Sequence, residues 1–212
     1  MCGRYALYGP TSRLHRQFVI PDDIDQLPRD MPNPLARYNI APSQLAPVVV
    51  GGRDGVRRIL EAKWGLLPSW VKDPGKMAAP INARVETAAE KPMFRSAWRK
   101  SRVIVPACGF YEWRTTADQK QPFYIHPADD ALFGFAGLLE HNGDVLSFAL
   151  LTTEANPLMA TIHDRMPVIL QPDDYAAWLD PGVTNPDLIR ALAGQYPAEL
   201  MAAHPVGRSV GN

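Results

Sequence analysis

The chain has 212 residues and is 46% apolar, which is enough to form one well-buried domain. Basic residues and acidic residues each number 22, so the formal net charge is zero and the composition excludes a strong long-range attraction to nucleic acid. Any contact with a polyanion must therefore depend on basic residues that folding brings together locally.

Two widely separated cysteines, Cys2 and Cys108, form neither a disulfide framework nor a zinc ligand set. The first residues lack the pattern of a signal peptide, and no apolar run is long enough to span a membrane. The sequence also lacks the glycine-rich phosphate loops and the HExxH motif. We therefore expect a cytoplasmic monomer with no metal, no cofactor and no membrane partner.

The N-terminal third predicts one helix and one hairpin. Thr11 or Ser12 is suited to cap the helix, and Leu14, Phe18 and Val19 would form its apolar face. A glycine-rich turn, GGRDG, separates two apolar runs and predicts the hairpin. In chain order we expect a helix over 11–20, an irregular loop over 21–44, strands over 45–50 and 56–64, and an aromatic loop over 64–76.

The remainder predicts mostly antiparallel strands with peripheral helices. Pro106 should interrupt a long apolar strand, and the tight turn NGD should join two later strands. In chain order we expect a helix over 91–100, a strand over 102–114, a meander of strands over 124–127, 131–140 and 144–154, a helical turn over 156–162, a strand over 166–171, and helices over 172–179, 187–193 and 197–203. This mixture predicts an α+β protein with one domain over residues 1–212.

The opening residues, MCGRY, place Cys2 where removal of Met1 would leave it with a free α-amine beside its thiol. An α-amine titrates near about 8 and a lysine near about 10.4, so the terminus is the better nucleophile toward an aldehyde at neutral pH. The thiol can then close on the imine carbon and form a five-membered thiazolidine. Cys2 is thus a candidate aldehyde trap, and the alternative is an ordinary free cysteine at a frayed end.

Two further motifs contain candidate proton-transfer groups. In GFYEW, strand alternation puts Phe110 and Glu112 on one face, so the carboxylate should be partly desolvated and suited to general acid–base chemistry. The alternative is a solvent-facing carboxylate. In IHDRMP, His163 is a candidate acid or base and Arg165 a candidate phosphate clamp. A histidine that is merely paired with Asp164 is the other interpretation.

The segment PINARVE places Asn82 and Arg84 on one side of an extended chain. Asn82 could hold a sugar hydroxyl or orient Cys2, and Arg84 could bind phosphate. The alternatives are a turn-forming asparagine and a surface ion pair between Arg84 and Glu86.

The remaining candidates are aromatic residues and the second cysteine. Trp64 and Trp70 fit either core packing or a platform for unstacked bases. Cys108 lies in an apolar strand and is better explained as buried packing than as a second nucleophile.

Together these stretches resemble the SRAP family, whose domain shields abasic sites in single-stranded DNA. The motifs that carry the resemblance are MCGRY at 1–5, RYNIAPSQ at 37–44, WGLLPSW at 64–70, INARVETAAEKPMFR at 81–95, GFYEW at 109–113, IHDRMPVIL at 162–170 and HPVGRSVGN at 204–212. The resemblance implies a single α+β domain with a curved, mainly antiparallel sheet or open barrel, peripheral helices and a basic channel for single-stranded DNA.

The resemblance also implies roles for individual residues. Cys2 would condense with the open-chain aldehyde of an abasic deoxyribose and form a thiazolidine crosslink. Asn82 would position the sugar or the amine, while Glu112 and His163 would transfer protons. The flanking strand would be held by a set of DNA-binding residues: Arg4, Asn39, Trp70, Arg84 and Arg165, with Trp64 as a further aromatic candidate.

Two other functions stay open at this point. A cysteine amidohydrolase would use the same mature N-terminus as nucleophile and base, and self-removal of Met1 would be one such activity. A reader of damaged or modified DNA would bind through Trp64, Trp70 and the arginines without forming a bond.

Overall fold

The computed structural model describes residues 2–21, 35–117, 119–129 and 131–211. These residues contain thirteen strands, five α-helices and several short 3-10 turns. The strands β1 to β13 are Arg4–Gly9, Leu35–Ile40, Leu45–Gly51, Arg57–Trp64, Asn82–Arg84, Arg102–Ala107, Gly109–Thr115, Lys120–Pro127, Phe133–Asn142, Val145–Glu154, Arg165–Pro167, Ile169–Leu170 and Met201–Pro205. The helices α1 to α5 are Ser12–Phe18, Val85–Ala88, Arg95–Lys100, Tyr175–Leu179 and Pro186–Leu192. The 3-10 turns lie at Pro74–Lys76, Met159–Thr161, Pro172–Asp174, Ala198–Leu200 and Arg208–Gly211.

Five strands close into a barrel. Strand β10 pairs in parallel with β4, and the ring then continues through antiparallel pairs from β4 to β3, β6, β9 and back to β10. Short strands extend this sheet, since β5 and β11 pair with β10 and β12 pairs with β9. The predicted α+β class is confirmed. The barrel expected to be open is closed, because β10 pairs both with β9, in a hairpin whose turn contains Gly143 at φ 57°, and with β4.

A second, five-stranded antiparallel sheet has the order β13-β8-β7-β1-β2. Its inner face packs against the barrel through aromatic rings: the Tyr5 centroid lies 5.2 Å from that of Trp64 and 6.1 Å from that of Phe135. Phe110 also meets Phe135, at 5.8 Å. The barrel and the sheet therefore share one apolar core, to which β1 contributes Tyr5.

Local patterns predicted the first helix and the first hairpin correctly. Leu14 and Phe18 are buried on α1, as expected, and β3 and β4 pair across the GGRDG turn. Val19 is 70% exposed, so its assignment to the apolar face was wrong. It follows the last helical residue with φ 51°, and this left-handed backbone turns its side chain away from the core.

Three other expectations were wrong because long-range pairing overrides local pattern. Part of the predicted loop, residues 35–40, is strand β2 against β1; residues 22–34 lie outside the described ranges. The predicted meander does not exist as such, because β8 pairs with β7 and β13 rather than with β9. Residues 201–205 form strand β13 and not the helix expected from their alanines, since their backbone pairs with β8.

The long apolar strand is interrupted two residues later than predicted. Pro106 lies within β6, whereas the chain leaves the barrel at Cys108 and enters the second sheet as β7. The Cys108 N–H donates to the Ala6 carbonyl at 2.8 Å. This crossing carries the GFYEW motif next to β1. No helix in the described ranges has the length and apolar character needed to cross a bilayer.

Arg102, on barrel strand β6, is hydrogen-bonded to helices α3 and α4 and to the segment after α4. Among the described residues, its buried guanidinium donates to five main-chain carbonyls, those of Trp98, Arg99, Trp178, Asp180 and Val183. Burial lowers its pKa, although the carbonyl oxygens compensate the charge. One side chain thus joins α3, β6 and the segment after α4.

We expect Arg102→Ala to lower the free energy of unfolding by about 3 kcal/mol or more, because five carbonyls, those of Trp98 and Trp178 in buried hydrogen bonds, would lose a charged donor. Arg102→Lys should lose less, since an ammonium reaches fewer of them. Urea denaturation would measure both, with Arg99→Ala as an exposed arginine control on the same turn. A loss for Arg102→Ala no larger than that of the control would contradict this account.

Candidate active site

The main chain of Cys2 is fixed just before the first residue of strand β1. Strand β1 pairs with β2 on one side and with β7 on the other, where Arg4 lies opposite Tyr111. The Asn82 Nδ2 donates to the Cys2 carbonyl at 2.9 Å, and Asn82 is itself held by the pairing of β5 with β10. Asn82 therefore ties Cys2 to the barrel, which agrees with the predicted role of orienting it.

The side-chain oxygen of Asn82, Oδ1, is a hydrogen-bond acceptor beside Cys2. This atom is buried and accepts no hydrogen bond from the described residues. A buried acceptor without a donor costs free energy that a bound N–H or O–H group would recover. This oxygen is therefore suited to receive a hydrogen bond from a ligand beside Cys2.

The Cys2 side chain is fully buried, which contradicts the alternative of a frayed, exposed end. Burial raises the pKa of the thiol far above its ordinary value, and the negative charge of Glu112 raises it further. The thiol is therefore protonated at neutral pH. The strand pairing places Cys2 and Glu112 at the same end of β1 and β7, because Arg4 lies opposite Tyr111 and the strands are antiparallel.

Glu112 is more buried than the sequence predicted. It shares the inner face of β7 with Phe110, as strand alternation indicated, and it is only 2% exposed. The expected alternative of a solvent-facing carboxylate is therefore wrong.

Glu112 and His163 line the same cavity. It has a volume of about 370 Å³ and is lined by Glu112, Trp113, Thr115, Lys120, His163 and Gly211. The fold thus brings four predicted residues together: Cys2, Asn82, Glu112 and His163.

His163 has a partner for each of its protonation states. Its Nδ1 accepts a hydrogen bond from the Arg165 N–H at 3.0 Å, and a neutral ring that does so carries its proton on Nε2. The same Nδ1 lies 2.8 Å from an Asp164 oxygen, to which a protonated ring would donate. The pairing with Asp164 that the sequence left open is therefore present, and it is compatible with proton transfer.

A larger, basic cavity lies beside His163. Its volume is about 890 Å³, and its lining includes Arg84, Arg114 and Arg165. Sequence reasoning missed Arg114, although alternation along β7 places it on the same face as Glu112. Its guanidinium lies 4.8 Å from the centroid of the Phe123 ring, which holds it at the cavity.

Arg165 is held by an acidic partner. It donates to both carboxylate oxygens of Glu86, at 2.7 and 3.0 Å, and to the Thr152 carbonyl at 2.7 Å. The sequence anticipated an ion pair between Arg84 and Glu86, but the main partner of Glu86 is Arg165. The hydrogen bonds from Arg165 lower the pKa of Glu86.

Arg4 and Asn39 form a second polar cluster. Arg4 donates to the Asn39 Oδ1 at 3.2 Å and to the Gly211 carbonyl at 3.5 Å, and Asn39 donates to the Val210 carbonyl at 3.1 Å. Both predicted phosphate-binding residues are thus aligned by acceptor oxygens.

The two tryptophans of the aromatic loop have different environments. Trp64 is completely buried, stacks on Phe148 and donates to the Ile81 carbonyl at 2.9 Å. It has no ring face to offer to a base, so we do not retain it among the predicted DNA contacts. Trp70 is 60% exposed and keeps a face for a ligand. Cys108 is buried, as predicted, with its thiol against the Tyr8 carbonyl.

A model of the family described as SOS response associated peptidase (SRAP) matches residues 1–212. The chain belongs to the SRAP family. Among proteins similar to this SRAP chain, "Abasic site processing protein YoaM" of Bacillus subtilis is 42% identical, over 99% of this chain and 92% of its own. "Abasic site processing protein YedK" of Escherichia coli is 34% identical, over 100% of this chain and 95% of its own.

Solved structures resemble the SRAP chain as well. An X-ray crystal structure of a protein from Bacteroides thetaiotaomicron superposes with a TM-score of 0.86 at 26% identity and covers 98% of this chain and 93% of that one. One from Bordetella bronchiseptica gives a TM-score of 0.79 at 25% identity, over 97% and 100%. Within the described ranges no group of three or more His, Cys, Asp or Glu side chains is placed to hold a metal ion.

The pair between Glu86 and Arg165 predicts a pH dependence of stability. Because the folded-state pKa of Glu86 is lowered, the stabilisation is complete above the ordinary value of about 4.3 and is lost as pH falls through the folded value. Glu86→Gln should cost about 0.5–1 kcal/mol at neutral pH, since Glu86 is partly exposed, and almost nothing in strong acid. Urea unfolding at both pH values would measure the difference.

Asp187→Asn provides the matched control, because Asp187 pairs with Arg190 at an exposed position. We expect that control to change stability little at either pH. A Glu86→Gln effect of equal size in acid and at neutral pH would show that the charge on Glu86 does not stabilise the fold.

Proposed function

We propose that this chain recognises abasic sites in single-stranded DNA and crosslinks to them through Cys2 after removal of Met1, thereby shielding the lesion. The observation that carries the proposal is the meeting of Cys2, Asn82 and Glu112 at the head of β1. The names of its relatives, abasic site processing proteins, agree with this target.

The reaction balances without a cofactor. Hydrolysis of the Met1–Cys2 amide consumes one water and releases methionine, and it frees the α-amine. The amine nitrogen adds to the C1′ aldehyde of the open deoxyribose, and one water leaves to give an imine. The sulfur then bonds to the same carbon while the thiol proton passes to the nitrogen, which closes the thiazolidine ring. No atom is oxidised or reduced overall.

Ring closure sets the order of these steps. The thiol bonds to the imine carbon, so the amine must react first and the thiol follows. Glu112, whose charge acts on the thiol, is the group suited to take its proton during ring closure. Asn82 holds the Cys2 carbonyl and offers its Oδ1 to the amine or to a sugar hydroxyl.

His163 is suited to the proton transfers on the sugar. It shares the cavity with Glu112 and has an internal partner for each protonation state. Ring opening of the sugar and loss of water from the adduct both need a proton donor, and reversal of the crosslink needs the same group as an acceptor.

The flanking DNA would contact the basic residues around the site. Arg84, Arg114 and Arg165 line the large cavity beside His163 and would bind phosphates there. Arg4 and Asn39 would bind a phosphate on the other side, and the exposed ring of Trp70 would stack on a base. Local contacts of this kind suit a chain whose net charge is zero.

Substitution of the first cysteine tests the chemistry. Cys2→Ala should abolish an adduct that survives denaturation, and Cys2→Ser should allow at most an imine that borohydride can trap, because serine cannot form a thiazolidine. Cys108→Ser is the matched control and should retain the adduct, since Cys108 is buried at the far end of β1. Intact mass spectrometry, with and without an abasic oligonucleotide, is the measurement.

Two outcomes would favour the other functions. Release of amine from peptide or glutamine substrates, with no mass shift on DNA, would point to an amidohydrolase. Binding of abasic DNA that is equal in wild type and Cys2→Ala, with no adduct in either, would point to a non-covalent reader. Retention of Met1 on protein that forms the stable adduct would also overturn the proposal.

The proton-transfer roles are tested by kinetics. Glu112→Gln and His163→Ala should each slow crosslink formation by about 100-fold or more, as expected for loss of a general acid or base, and change DNA affinity by less than about threefold. Glu154→Gln removes a carboxylate from the neighbouring large cavity and should leave the rate unchanged. Single-turnover rates and binding titrations would separate the two effects; weaker binding at an unchanged maximal rate would assign both residues to DNA binding instead.

A further inference from the structure

The outer face of the five-stranded sheet carries a row of aromatic rings that the chemistry at Cys2 does not use. All five strands contribute to it. We call this row the ring platform, and its members are Tyr8, Tyr38, Tyr111, Tyr124, His126 and His204.

The rings of the platform contact one another across the strands. Tyr8 stacks on Tyr38 with centroids 5.0 Å apart, and Tyr124 lies 5.1 Å from Tyr111 and stacks on His126 at 5.5 Å. His204 continues the row, 5.3 Å from His126. The hydroxyls of Tyr8 and Tyr124 lie 3.5 Å apart and connect the two halves.

Two backbone features bring these rings onto one face. The register of β1 against β2 shifts between Tyr5 and Leu7, and this bulge lets Tyr38 and Asn39, although consecutive, both lie on the outer side. At Gly109 a Cβ would lie 2.6 Å from the Tyr124 ring, so only glycine lets that ring lie across β7.

The platform is available to a ligand. Tyr38 is 60% exposed, and the other rings are partly exposed at the least. These side chains lie opposite the face that packs on the barrel, so the core does not require them to be aromatic. Exposed rings along an antiparallel sheet are a known means of binding unpaired bases, because each base stacks on a ring.

The platform is continuous with the proposed phosphate contacts. Tyr111 lies opposite Arg4 in the sheet, and its hydroxyl donates to the Tyr38 carbonyl at 2.8 Å. Asn39, the next residue, accepts from Arg4. A strand held at Arg4 would therefore reach Tyr38 and Tyr111 directly.

We propose that the ring platform is a stacking surface for unpaired bases of the single-stranded DNA that flanks the lesion. The inference rests on the proposed function and adds to it a second, sequence-tolerant contact outside the reaction site. The platform determines the affinity for single-stranded DNA, whereas Cys2 and its neighbours determine the rate of bond formation.

The experiment compares two abasic oligonucleotides, one of about four nucleotides and one of about sixteen, in single-turnover crosslinking. Tyr38→Ala should raise the half-saturating protein concentration at least about fivefold for the long oligonucleotide, should not change it for the short one, and should leave the maximal rate unchanged. Tyr38→Phe retains the ring and should behave as wild type. Leu188→Ala, at a position 59% exposed on α5, controls for loss of an exposed apolar side chain.

An undamaged strand gives an independent readout. A fluorescent adenine analogue in single-stranded DNA without an abasic site should be quenched on binding wild type and Tyr38→Phe, and much less on binding Tyr38→Ala. Quenching that depends on Tyr38, together with no adduct on the abasic oligonucleotides, would refute the proposed function and leave the platform intact. Equal affinity of wild type and Tyr38→Ala for the long oligonucleotide, or an equal loss with both lengths, would refute the platform.

Discussion

The pairing of β1 between β2 and β7 is the constraint on which the site depends. This pairing places the first residues of β1 directly beside β7, the strand that carries Glu112, without an intervening flexible loop. The hydrogen bond from Asn82 fixes the Cys2 main chain from the barrel side. The site therefore lies at the junction of barrel and sheet, and its geometry depends on the core that these two layers share.

The α-amine and the thiol of Cys2 would act in sequence in the proposed mechanism. The low-dielectric surroundings and the Glu112 charge raise the pKa of the thiol, and the ring closes only on an imine that the amine has already formed. The thiol then adds to an electrophile already attached to the same residue, where its effective concentration is very high. A buried thiol also resists oxidation and metal binding, which would otherwise compete with the intended reaction.

The sequence predicted those features that depend on neighbours along the chain. The hairpins β3–β4 and β9–β10 follow from turn glycines, and the shared face of Phe110 and Glu112 follows from alternation. Strand β13 could not be predicted, because its alanines favour a helix and only the distant β8 supplies its partner. Core packing was one of the two interpretations of Trp64 and Trp70, but their different environments could not be predicted, since a tryptophan among prolines looks the same in one dimension whether it faces the core or a ligand.

The predicted phosphate-binding groups are held in place by acceptors that resemble phosphate oxygens. Arg165 faces the Glu86 carboxylate, and Arg4 faces the Gly211 carbonyl. These acceptors align the donors before a ligand arrives, so little side-chain entropy remains to be lost on binding. A phosphate that replaces them exchanges one acceptor for another and gains little net free energy. In the proposed mechanism such a site would recognise the shape of a DNA backbone without binding it tightly, and the covalent bond at Cys2 would keep the DNA bound. Weak local phosphate contacts together with one covalent bond would explain how a chain of zero net charge could hold a polyanion.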